Sequence, residues 1–119
     1  MRRLGLVLDC RDPERLAEFW AGALGYRRLG GAGQYVLLRP SEPGEPNLLL
    51  QGVPEAKVVK NRMHLDIETP DIEAEAARLQ TLGATRVESG TRREHGSMWV
   101  LMADPEGNEF CVCDGGSGS

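Results

Sequence analysis

His64, Asp66 and Glu68 occupy every second position of one run, and Glu109, Cys111 and Cys113 do the same in another. Residues two apart in an extended chain share a face. Each run would therefore aim its ionisable groups one way, while Leu65, Ile67, Phe110 and Val112 point the other. Histidine titrates near neutrality, so His64 is the candidate general acid or base, with Asp66 or Glu109 to orient it. Glu109 is the second candidate catalytic group. The plain alternative is a histidine hydrogen-bonded to Asp66, Glu68 or Glu109 with no further role. Cys111 and Cys113 read as small apolar fillers without a nucleophilic role. His95, next to Gly96 and after Arg92-Arg93-Glu94, reads as a solvated hairpin residue.

The elements that must position these groups come in two copies. Residues 4–12 and 63–71 each alternate apolar and other residues, break at a polar residue and end on a helix-capping Asp, and His64 falls 59 residues after its counterpart Gly5. Asp12 caps the first helix, Pro13 suits its first position, Leu16, Phe19, Trp20, Ala23 and Leu24 form its apolar stripe, and Gly25 ends it. Asp71 caps the second, with Ile72, Ala76, Leu79 and Leu82 as the stripe and Gly83 as the stop. Strands are expected over 4–9, 26–29, 35–39 and 48–51, with Gly30, Gly31 and Gly33 as turn glycines. The second copy should have strands over 62–68, 85–88, 97–103 and 109–114, the last two joined by a turn at 104–108. Trp99 lies in a run that is apolar on both faces; core packing is its first reading and a ligand platform its second.

The order is βαβββ twice, an α+β fold in two tandem modules forming a concave, cleft-bearing mixed sheet. With 119 residues the chain is long enough for one domain, expected over 1–114, with module one at about 1–53 and module two at about 62–114. Residues 115–119, Gly and Ser only, read as a flexible tail that may be left out of the fold.

Composition narrows the function classes. A net charge of −4 with scattered arginines argues against nucleic acid as a partner. No apolar run approaches membrane-spanning length and no signal peptide is evident, so a cytoplasmic location without membrane contact is expected. The three cysteines lack metal-finger spacing and read as free thiols.

Asp12-Pro13, Phe19-Trp20 and Leu24-Gly25-Tyr26 in the first module, with His64-Leu65-Asp66, Leu82-Gly83-Ala84 and Asp104-Pro105-Glu106-Gly107-Asn108-Glu109-Phe110 in the second, resemble the vicinal oxygen chelate superfamily. That superfamily includes glyoxalases, bleomycin-resistance proteins, fosfomycin-resistance enzymes and extradiol dioxygenases, and the resemblance covers nearly the whole chain. It implies the glyoxalase/bleomycin resistance/dioxygenase fold. It also implies that metal-dependent relatives take ligands from the first and fourth strands of each module. Here His64 matches one such position, Gly5 stands at its first-module counterpart, and Cys111 stands where the late glutamate is usual. A divalent metal would need a shifted set of His64, Gln51, and Glu109 or Cys111, so no metal site and no cofactor are expected.

The resemblance thus implies a small-molecule-binding protein, with His64, Asp66, Gln51, Trp99, Glu109 and Cys111 as ligand-binding residues. The alternative is a metal-free or metal-dependent lyase, isomerase or dioxygenase acting on a small carbonyl or aromatic substrate in the same cleft, with His64 as acid/base or ligand. A purely structural module is a further alternative that no residue supports. A homodimer is expected, in which Trp99, Lys57 or Lys60 of one chain would complete the site around His64 of the other.

Overall fold

The structure, a computed structural model, describes residues 2–94 and 96–114. His95 and the tail 115–119 therefore lie outside the described residues. The chain divides into two compact units, meeting in sequence between Lys57 and Val58.

The first unit runs β1 (Gly5–Cys10), α1 (Pro13–Leu24), β2 (Arg27–Ala32), β3 (Tyr35–Arg39) and β4 (Asn47–Gly52). Its sheet has the order β1-β4-β3-β2, with β1 parallel to β4 and the other pairs antiparallel. Asp12 accepts the backbone N–H of Arg15 at 3.2 Å, Pro13 starts the helix, and Gly25 closes it at φ 70°. Leu16, Phe19, Trp20 and Ala23 are buried on one side of α1. Phe19 and Trp20 meet edge to face, with ring centroids 5.1 Å apart. Against them the sheet turns Val36, Leu38, Leu48 and Leu50, all buried. The other face of the sheet carries Gly5, Val7, Asp9, Leu37, Leu49 and Gln51.

The second unit runs β5 (Leu65–Glu68), α2 (Ile72–Leu82), β6 (Thr85–Arg86), β7 (Arg92–Glu94), β8 (Ser97–Ala103) and β9 (Glu109–Cys113). The sheet order is β5-β9-β8-β6, and β7 also pairs with β8. Asp71 accepts the N–H of Ala74 at 3.1 Å to cap α2, whose Ile72, Ala76 and Leu79 are buried. Val100, Met102, Phe110 and Val112, each fully enclosed, fill the sheet side of this core.

Several expectations need correction. β2 runs through Gly30, Gly31 and Ala32, so the turn shrinks to Gly33 and Gln34. The glycines serve the strand itself: a Cβ on Gly31 would stand 2.6 Å from the Tyr35 carbonyl oxygen, and Gly30 sits at φ 125° beside a register shift. β5 starts at Leu65 and leaves His64 outside it, because the N–H of Glu109 donates to Asn61 Oδ1 at 3.0 Å where a longer strand could have paired. β6 has only two residues, and a strand β7 absent from the sequence reading pairs antiparallel with the start of β8. The second unit is therefore βαββββ. Leu82, placed on the apolar stripe, is 39% exposed.

One turn fixes the start of β9. Asp104, 3% exposed, accepts the N–H groups of Glu106 and Asn108 on Oδ1 at 2.9 Å each, and Oδ2 takes the Asn108 side-chain amide at 3.0 Å. Gly107 allows the chain to reverse at φ 87°. Replacing Asp104 by Ala strands those donors in a buried site. It should cost about 3 kcal/mol of stability, from a charged acceptor with several hydrogen bonds. Urea denaturation with an unshifted midpoint would contradict this role.

Candidate functional site

Each sheet is covered by its helix on one face, and the pleat sends alternate side chains to the other. On the second unit the strand registers align these outward residues in rows. Asp66, Cys111 and Leu101 form one row across β5, β9 and β8, and Glu68, Cys113, Trp99 and Arg92 form the next across β5, β9, β8 and β7. Glu109 lies beside Ala103 at the end of the sheet where β9 begins. Trp99 is thus half-buried on the open face. Its neighbours Val100 and Met102 take the core side, which corrects the reading of Trp99 as core.

Glu109 is the most enclosed carboxylate of this face, with 16% of its side chain exposed. Its Oε1 is buried and makes no hydrogen bond among the described residues. Lys60 Nζ stands 3.5 Å from it, a Coulombic contact too long to count as a strong hydrogen bond. Lys60 therefore sits beside Glu109 of its own chain. Asp66 and Glu68 are exposed.

His64 is exposed, and its Nε2 lies 3.3 Å from the Asn61 carbonyl oxygen. No described carboxylate is within hydrogen-bonding distance of the ring, so the structure does not assemble the acid–base pair of His64 with Asp66 or Glu109. The backbone explains this: with β5 starting at Leu65, position 64 is outside the pleat that would have aligned the imidazole with Asp66.

Cys111 is half-buried in the middle of the face. Burial, then the negative charge of Asp66, then Cys113 push its thiol up to about 11, with Lys60 and Arg92 pulling weakly the other way. A thiol so displaced is protonated at neutral pH and is a poor nucleophile. Cys113, on the same outward parity, is 8% exposed. In the first unit, Gln51 is half-buried beside Asp9 and Tyr35 on the open face.

Among the described residues no group of three His, Cys, Asp or Glu side chains could hold a metal ion. Gly5 has no side-chain donor. What the second unit's face offers is an unsatisfied carboxylate oxygen and exposed acids at one side, with Trp99 and Leu101 as apolar ground. The enclosed oxygen of Glu109 has no signature in sequence. Its nearest sequence cue is Asn61, whose side chain ties down the backbone of Glu109.

The family model of the glyoxalase-like domain matches residues 5–113, across both units. No curated protein sequence matches the chain significantly. Several solved structures do. A glyoxalase/bleomycin resistance protein/dioxygenase family enzyme from Burkholderia phytofirmans PsJN is 15% identical, with a TM-score of 0.73 over 91% of this chain and 94% of its own. A glyoxalase-related enzyme from Fulvimarina pelagi gives 0.72 at 16% identity, over 95% of this chain and 88% of its own. A mutant of the genomically encoded fosfomycin resistance protein FosX from Listeria monocytogenes, complexed with Mn(II) and 1S,2S-dihydroxypropylphosphonic acid, gives 0.77 at 11% identity, over 97% and 91%. At such identities the likeness is one of fold.

The raised Cys111 thiol has a chemical consequence. At pH 8 its thiolate fraction is far below that of an ordinary cysteine, so iodoacetamide should modify it at least about tenfold more slowly than free cysteine. The rate should climb only as the pH approaches 11. Peptide mass mapping of the modified protein checks both. Because the folded state favours the protonated thiol, this group's contribution to stability is present below the ordinary thiol range and lost as pH rises toward 11.

Proposed function

Because the chain belongs to the glyoxalase-like domain family, in the vicinal oxygen chelate superfamily, we propose that it binds a small molecule on the open face of the second unit's sheet without a resident metal. The observation that supports this reading is the enclosed Glu109 Oε1, which has the Lys60 ammonium at 3.5 Å but no hydrogen-bond partner among the described residues. A buried acceptor left unmet costs free energy that a ligand donor recovers. The ligand class follows from the surroundings: a hydroxyl or amine reaches Glu109 and Asp66, while a flat carbonyl-bearing or aromatic body lies against Trp99 and Leu101. Cys111 contributes a neutral, polarizable surface between them. His64 stands at the rim.

A thermal-shift screen of aromatic and carbonyl compounds bearing hydroxyl or amine groups tests this. Hits should survive added chelator, and Glu109→Gln should weaken them by about tenfold or more, the worth of one charged hydrogen bond. Ligands that bind Glu109→Gln and Trp99→Ala as tightly as the parent chain would refute the reading.

The same proposal extends to assembly as a homodimer, the commonest closed arrangement of soluble chains. Val58, Val59 and Met63, exposed at 85%, 77% and 69%, give the chain apolar surface close in sequence that a second copy could cover. Light scattering should then report twice the 13.0 kDa of one chain, and a mass that stays single at high micromolar concentration would refute it.

A further inference from the structure

The first unit holds a cavity of about 860 Å³ where β1 begins, walled by the loop over residues 40–46. Arg2, Arg3 and Arg39 all line it. Elsewhere Arg28 is paired with Glu14, Arg78 with Glu75, Arg86 with Glu73 and Arg92 with Glu88. None of the three cavity arginines has an ion-pair partner among the described residues. Three guanidinium groups around one concavity repel each other, and an entering anion relieves that repulsion. Glu42 and Glu45 share the wall without pairing with these arginines, which leaves the lining with an excess of positive charge.

The wall is held in place before anything binds. Pro40, Pro43 and Pro46 restrict the loop backbone. Ser41 Oγ donates to the Gly25 carbonyl at 2.9 Å near one end, and the Tyr26 hydroxyl donates to the Pro46 carbonyl at 2.9 Å at the other. A loop tied at both ends loses little entropy on binding. Gly5 leaves the inner surface open, since a Cβ there would meet nothing within 4 Å. Leu4, 72% exposed, and the prolines supply apolar contact beside the arginines.

We propose that this cavity is a binding site for a small organic oxyanion, a carboxylate or phosphate ester. Its charged head pairs with Arg39 and the Arg2-Arg3 segment, and its apolar body lies against Leu4 and the proline loop. Guanidinium groups bind such heads through paired N–H donors. The site goes beyond the ligand face around Glu109 and uses none of its residues.

The test is a ¹⁵N NMR titration of the full chain with phenyl phosphate and benzoate, and with phenol as the neutral control. Saturable shifts are expected at the Arg2, Arg3 and Arg39 Nε–H signals and at the amides of Ser41, Glu42, Gly44, Glu45 and Asn47, for one or both anions and not for phenol. The ratio of the two affinities identifies the preferred head group. Arg39→Gln should raise Kd by about tenfold or more, and added salt should weaken binding. Glu109→Gln should leave it unchanged, which separates this site from the proposed ligand face. If Arg39→Gln loses the dispersed spectrum of a folded chain, Arg3→Gln, ahead of the first strand, carries the same expectation. Shifts that do not saturate with either anion, that phenol reproduces, or that persist at equal Kd in the folded arginine variant would overturn the proposal.

Discussion

Each unit has one helix for its whole sheet, and every placement of chemistry in the protein follows from that imbalance. One helix can exclude water from one face only. The pleat then sorts residues by parity: Leu48 and Leu50, Val100 and Met102, Phe110 and Val112 go under the helix, where each buried aliphatic or aromatic side chain contributes about 1.5–3 kcal/mol. Asp66, Glu109, Trp99 and Leu101 are left on the other side. They owe little to the packing of the core. Their identities are therefore not dictated by the core, and the same parity lets Asp9, Gln51 and Arg39 stand clear of the first unit's core.

Parity alone would not hold Glu109 where it is. The Asp104 turn sets where β9 begins, and Asn61 fastens the N–H of Glu109 from the segment ahead of β5. These two attachments fix the backbone at Glu109 and just ahead of it, while Lys60 supplies a nearby charge without a tight bond. Position is thus specified by backbone contacts, and the oxygen remains available.

Most of the fold was readable because its signals are local. Asp caps, glycine stops and apolar spacing placed both helices, and alternation placed β1 and β9. The misreadings share a cause: pairing partners distant in sequence decided them. β7 is polar and short, and exists because β8 offers it a ladder. The extent of β2 depends on how closely its glycines approach β3. His64 looked like a strand residue because its neighbours alternate, but whether a strand forms there depends on Asn61 and Glu109, 48 residues apart. The open face of the second unit was legible as a set of alternating ionisable residues. The enclosure of one oxygen of Glu109 depends on what packs around it and leaves no periodic trace. Similarly, Trp99 was undecidable from a strand apolar on both faces until its register with Arg92 and Cys113 was known.

The register shift between Arg28 and Gly30 on β2 and the break between β6 and β7 fall on corresponding margins of the two sheets. A long straight margin is a template on which a strand of another chain can add, the first step of ordered aggregation. Here one margin is kinked and rich in glycine and arginine, and the other is split into pieces of two and three residues. Neither gives a foreign strand enough consecutive backbone groups to hold on to. Irregularity at these two margins thereby works against edge-to-edge growth there.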